Sequence, residues 1–107
     1  MGIFSRNGSS SGGMSQRRAK NETYAHLEQF AASRTGVEAY FEAQTSREPA
    51  TVVFVATDGE WTRRKVPNLD QAVKLTNRLG IPLFDVARTG YPQSMRQWSA
   101  RQQANRG

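Results

Sequence analysis

The run Ala50-Thr51-Val52-Val53-Phe54-Val55-Ala56 is apolar at odd and even positions alike and rich in β-branched residues. A segment of that kind is best satisfied as a strand covered on both faces, so it predicts the central strand of a sheet. Asp58-Gly59 follows as a two-residue hairpin signal, and residues 60–66 are expected to return antiparallel as the third strand. Ahead of the run, residues 37–45 alternate. Val37, Ala39, Phe41 and Ala43 fall on one face and Glu38, Tyr40, Glu42 and Gln44 on the other, the pattern of a half-buried strand.

Helical spacing brackets these strands. Tyr24, Leu27 and Ala31, with Phe30 beside them, form one apolar stripe over 22–34, and Thr35-Gly36 ends it. The single His26 lies about 100° from that stripe and is expected at an exposed edge, not as a ligand or a base. Asn68 is a helix cap, and Gln71 three residues later completes a capping box. Leu69, Ala72, Val73, Leu75 and Leu79 supply that helix's apolar side, and Gly80 with Pro82 stops it. Residues 83–87 predict a fourth strand, reached through a right-handed crossover. Beyond Gly90, Pro92 opens a last helix whose two anchors, Met95 and Trp98, hold it only if it docks. The order predicts an α+β fold: a helix, a three-stranded antiparallel meander, a crossover helix, a fourth strand and a C-terminal helix, with one sheet covered on one face by helices.

A chain of 107 residues has room for one domain. Residues 1–20 hold few large apolar groups and the linker-like run Gly8-Ser9-Ser10-Ser11-Gly12-Gly13, so they are expected to be a disordered basic tail. Residues 21–104 form the domain and 105–107 a short tail. There is no cysteine, no stretch approaches the roughly 20 apolar residues of a membrane span, and the start is too short and polar for a secretory signal. A cytoplasmic location is expected.

Charge is the most informative compositional feature. Residues 1–20 carry four basic and no acidic residues, as do residues 88–107, while 21–87 carry seven basic against nine acidic. Arginine outnumbers lysine seven to one in the two ends, and a guanidinium fork suits phosphate. Basic ends on a near-neutral body predict phosphate contacts that release counterions, through Arg17, Arg18, Arg96 and Arg101 among others; the alternative is ends that only keep the chain in solution. In the third strand Trp61, Arg63 and Lys65 alternate onto one face. An aromatic among cations can stack a base and grip a backbone, although edge strands also carry cations to prevent sheet-to-sheet pairing.

Catalysis is not expected. One off-stripe histidine and no cysteine assemble neither a nucleophile with its base nor a zinc site, and no glycine-rich loop joins a strand to a helix. The element order is also the core order of restriction-endonuclease-like nucleases, with Glu38, Glu42, Asp58 and Glu60 on or near the strands. That family's acid and lysine two apart are not met, because Thr62 stands two after Glu60. No cofactor and no small-molecule substrate is implied.

From Val66 to Val86 the chain resembles, without a gap, the N-terminal domain of bacterial translation initiation factor 3. The match runs through Val66, Asn68, Leu69, Ala72, Leu75, Gly80, Leu83 and Asp85-Val86. Asp58-Gly59-Glu60 looks like that family's hairpin, and Pro92 with Arg96 like its proline and basic residue, so the resemblance spans about residues 58–96. The family's Tyr-Gly-Lys, which leads its linker helix onto ribosomal RNA, is replaced here by Ser99-Ala100-Arg101. The whole chain also resembles small basic actinobacterial proteins of unknown function. Residues and resemblance together predict a non-catalytic module that contacts RNA or a ribonucleoprotein surface such as the ribosome. The alternative is a protein-interaction adaptor that uses a sheet edge or the Met95 and Trp98 stripe.

Overall fold

The computed structural model describes the backbone of residues 9–106 and the side chains of residues 21–105. Its elements are α1 (Ser9–Ser33), β1 (Glu38–Glu42), β2 (Thr51–Val55), β3 (Trp61–Lys65), α2 (Leu69–Leu79), β4 (Leu83–Asp85), α3 (Val86–Thr89) and α4 (Gln93–Arg106). The four strands make one mixed sheet in the order β3-β2-β1-β4, so the run at 50–56 does occupy a central position. The meander is antiparallel, and the crossover through α2 brings β4 parallel to β1.

Register sorts the residues between two faces. Phe54 and Val52 lie opposite Ala39 and Phe41 on one side and Thr62 and Arg64 on the other. That face carries the larger core, where Leu27 and Phe30 of α1 and Ala72 and Leu75 of α2 pack on Ala39, Phe41, Val52 and Phe54. The second face also has a cover. Met95 of α4 is buried there against Tyr40, Val53 and Val55, with Trp61, Phe84 and Tyr91 at the margin. Two helices thus cover one face as the pattern predicts, and α4 adds a third layer because Tyr40, Val53 and Val55 leave an apolar strip that must be buried.

Several local expectations are corrected. The first helix begins at Ser9, not near 22, and residues 1–8 of the expected basic tail, with the side chains of 9–20, lie outside the described residues. Once the docked turns around Leu27 and Phe30 nucleate the helix, each further residue adds one hydrogen bond without a new nucleation cost. β1 stops at Glu42 because the Thr45 hydroxyl accepts from the backbone N–H groups of Arg47 and Glu48 and turns the chain. β4 stops at Asp85, whose carboxylate accepts from the Ala87 N–H at 3.0 Å and caps α3 in place of a longer strand. Asn68 caps α2 by accepting from the Gln71 N–H at 3.0 Å, but the Gln71 side chain accepts from the Tyr24 hydroxyl at 3.4 Å. α4 continues through Arg106, past the domain boundary drawn at 104.

The hairpin is also longer than its sequence signal. Gly59 N–H donates to the Ala56 carbonyl at 2.9 Å and Ala56 N–H to the Glu60 carbonyl at 2.8 Å, which closes a three-residue connection of Thr57, Asp58 and Gly59. Gly59 has φ +94°, the bulge position at which glycine is favoured. The turn presses on α4. A Cβ on Gly59 would collide with the Ser94 carbonyl oxygen and stand 2.9 Å from the Trp98 Cβ.

Candidate nucleic-acid interface

Trp61, Arg63 and Lys65 point to the α4 side of the sheet, since they pair with Val55, Val53 and Thr51. Strand alternation brings them together as the sequence predicts, but α4 determines what they can do. Trp61 Nε1 donates to Ser99 Oγ at 2.9 Å, and the Arg63 guanidinium lies 5.3 Å from the Trp61 ring centroid. Arg63 also donates through Nε and Nη2 to the two oxygens of Glu42, at 2.7 and 3.0 Å. The hydroxyls of Thr51 and Tyr91 donate to the same carboxylate. Glu42 therefore ties β1, β2 and β3 to the chain entering α4. Arg63 is part of that junction, and the half-buried Trp61 ring lies between Arg63 and Ser99 of α4.

Arg96 and Arg101 sit on opposite flanks of α4, as five-residue spacing requires. Arg101 Nη2 donates to the Asp58 carbonyl at 3.1 Å and holds the hairpin turn to the helix. Arg96 is exposed at a depression shared with Tyr91, Met95 and Ser99. Among the described residues Arg96 and Lys65 have no acidic partner. The side chains of Arg17 and Arg18 lie outside the described residues.

The opposite face holds a groove that sequence reasoning missed. His26 and Phe30 on α1 stand in one row with Arg34 just past its end, and Glu60, just ahead of β3, forms a second row with Thr62 and Arg64 on the strand. The rows run antiparallel and meet at two rungs. Arg34 donates to both oxygens of Glu60, at 3.1 and 2.7 Å, with its guanidinium 4.2 Å from the Phe30 ring centroid. His26 Nε2 and Thr62 Oγ1 are hydrogen-bonded at 2.9 Å. Arg64 continues the β3 row, bonded only to the Arg63 carbonyl among the described residues. Partial desolvation, reinforced by the positive charges of Arg64 and Arg34, pulls the His26 pKa below its ordinary value. The stripe assigned His26 to an exposed edge; strand parity, which sets Thr62 and Arg64 on the face opposite Trp61, is the signal that locates its partners.

The strand carboxylates are occupied by neighbours in the fold. Glu42 and Glu60 are paired as above, Glu38 accepts from the Tyr40 hydroxyl at 3.0 Å, and Asp58 Oδ1 accepts from the Glu60 N–H at 2.9 Å. Burial and Glu38 push the Tyr40 pKa up to about 12. No group of three or more metal-ligating side chains is placed to hold a metal ion among the described residues. Among the same residues no helix is long and apolar enough to cross a membrane. Comparisons with protein-family models, with curated proteins and with solved structures found no match.

Proposed function

We propose that this chain is a non-catalytic, cytoplasmic module that binds RNA, free or on a ribonucleoprotein surface such as the ribosome. One observation carries the proposal: acids outnumber basic residues nine to seven over 21–87, while each terminal segment carries four basic residues and no acid. Arg34, Arg63 and Arg78 each hold a glutamate within 2.8 Å, whereas residues 1–20 and 88–107 contain no acid to pair with their arginines. The excess of positive charge is thus carried by the two ends of the chain, and exposed Arg96 on α4 is one such cation open to a phosphate. The resemblance of about residues 58–96 to a ribosomal factor's domain supports the ribonucleoprotein version. The occupied strand carboxylates support a chain without catalysis.

Binding of a fluorescein-labelled single-stranded RNA, followed by anisotropy across a series of potassium chloride concentrations, tests the proposal. Affinity should fall steeply with salt, by a slope of about 0.7 for each phosphate neutralised. Arg96→Ala should reduce that slope. A chain that binds no RNA at low salt is not this module.

The adaptor alternative has one observation in its favour. Leu69 and Val73, exposed at 48% and 38%, border a groove along the β4 edge floored by Ile81, Leu83 and Phe84. Of the other candidate dock, the Met95 and Trp98 stripe, Met95 is buried against the sheet and Trp98 stands beside the Gly59 turn. An apolar dock at β4 would persist in high salt, where phosphate contacts fail.

A further inference from the structure

We infer that the groove between α1 and β3 is a phosphodiester site, in which His26 and Arg64 grip one phosphate of the bound strand. This rests on the RNA reading above and gives it a location. Four features of the groove lead there. Its cavity of about 380 Å³, lined by His26, Phe30, Arg34, Glu60 and Thr62, is large enough for a nucleotide segment, and Arg64 stands just outside that lining, near enough for its charge to act on the His26 ring. Its donors converge from two elements: the His26 ring and the Thr62 hydroxyl are already in contact at 2.9 Å, and Arg64 projects from the same face of β3 two residues on. Arg64 has no carboxylate partner among the described residues, while the neighbouring Arg34 is held by Glu60. The one ionisable donor stands in a field of cations, which an anion would relieve.

That last feature gives the site a pH response. The charged groups beside His26 are Arg64 on β3, Glu60 just before β3, Arg34 just after α1 and, one turn earlier on α1, Glu22. In the free protein desolvation, Arg64 and Arg34 favour the neutral ring. A phosphate bridging His26 and Arg64 reverses the balance, because the ring can then donate to an anion, and its pKa must rise on binding. By linkage the complex takes up a proton, and affinity increases as pH falls through the titration range of the histidine. A phosphodiester keeps a single charge throughout that range, unlike a phosphomonoester, whose second proton leaves near pH 6. The response therefore belongs to the protein.

The chain has a single histidine, so its ring proton resonance reports on this site without ambiguity. The full chain would be titrated between pH 5 and 8 alone, with sulfate as an inorganic probe that does not titrate, and with a short oligouridylate. Oligouridylate should raise the His26 pKa and bind several-fold more tightly at pH 5.5 than at pH 8. The change should be about tenfold if the pKa rises by one unit. Arg64→Gln should weaken binding several-fold, and His26→Gln should abolish the pH dependence, each with an unchanged amide spectrum to show an intact fold. Oligouridylate that binds with unmoved His26 resonances, and equally well to both variants, would overturn the groove and leave the RNA proposal standing. A His26 pKa raised by sulfate, in a chain that binds no oligouridylate, would keep the anion site and overturn its assignment to RNA.

Discussion

Glycine 59 carries more of this structure than its hairpin role requires. Gly80, the C-cap of α2, shares its positive φ, at +71°, but has open space where a Cβ would stand; Gly59 has the Ser94 carbonyl there. Gly80→Ala should cost about 1 kcal/mol, the ordinary conformational penalty, and Gly59→Ala clearly more, about 2 kcal/mol or above. Denaturant titrations of the two variants give the comparison, and equal losses would mean that α4 is not seated on the turn. Tyr40 makes a second residue-scale prediction. Its hydroxyl titrates near 10 in the unfolded chain and about 12 in the folded one, so the folded state retains the proton longer. Its contribution is therefore fully present below pH 10 and is lost as pH rises from 10 towards 12. Tyr40→Phe should lose less stability than the parent between pH 9 and pH 11 in urea melts. Parallel losses would place the alkaline sensitivity elsewhere.

Two helices of similar standing in the sequence are held by different means. α2 is capped at both ends and buries Ala72, Leu75 and Thr76, so local and tertiary preferences agree. α4 is polar on most sides and, among the described residues, buries one side chain, Met95, and it relies on the junctions Trp61 to Ser99, Arg101 to Asp58 and Tyr91 to Glu42. Truncation of its anchor, Met95→Ala, should cost about 2–3 kcal/mol. Amide exchange should quicken in α4 before it does in α2, because α4 can open from the sheet as a unit while the larger core stays closed. Uniform acceleration through both helices would show that α4 belongs to the global unfolding unit. Removal of Glu42 tests the same junction: Glu42→Ala leaves Arg63, Thr51 and Tyr91 without their shared acceptor, for an expected loss of about 1–3 kcal/mol.

At the scale of the whole molecule, cations that serve the fold should separate from cations left for a partner. Arg63 is half of a bidentate pair whose carboxylate side chain is only 19% exposed, and Arg96 is an exposed cation with no acidic partner among the described residues. Arg63→Ala is expected to lower thermal stability and leave the salt dependence of RNA binding nearly unchanged. Arg96→Ala should do the reverse, reducing the slope by about 0.7 with no change in melting temperature. Melting curves and anisotropy on the same two proteins read both quantities. If Arg63→Ala flattened the slope as much as Arg96→Ala, internal pairing would not decide which arginines meet the strand.

Much of the architecture was legible from local pattern because local pattern is where its causes lie. The doubly apolar run at 50–56 could be satisfied only inside a sheet, Asn68 and Gly80 bounded α2 through the capping each performs, and alternation along 37–45 and 61–65 assigned side chains to faces before any partner strand was known. The uneven charge of the ends was likewise a property of the chain alone. What no local pattern contains is which surfaces meet. Arg63 and Glu42 are separated by 21 residues, Trp61 and Ser99 by 38, and His26 and Thr62 by 36. Each pair exists because the sheet order and the path of α4 bring distant segments within hydrogen-bonding distance. Packing thus made Trp61 and Arg63 part of the seat of α4, and it set His26, an exposed histidine in the sequence, beside Thr62 and an arginine that has no carboxylate partner among the described residues.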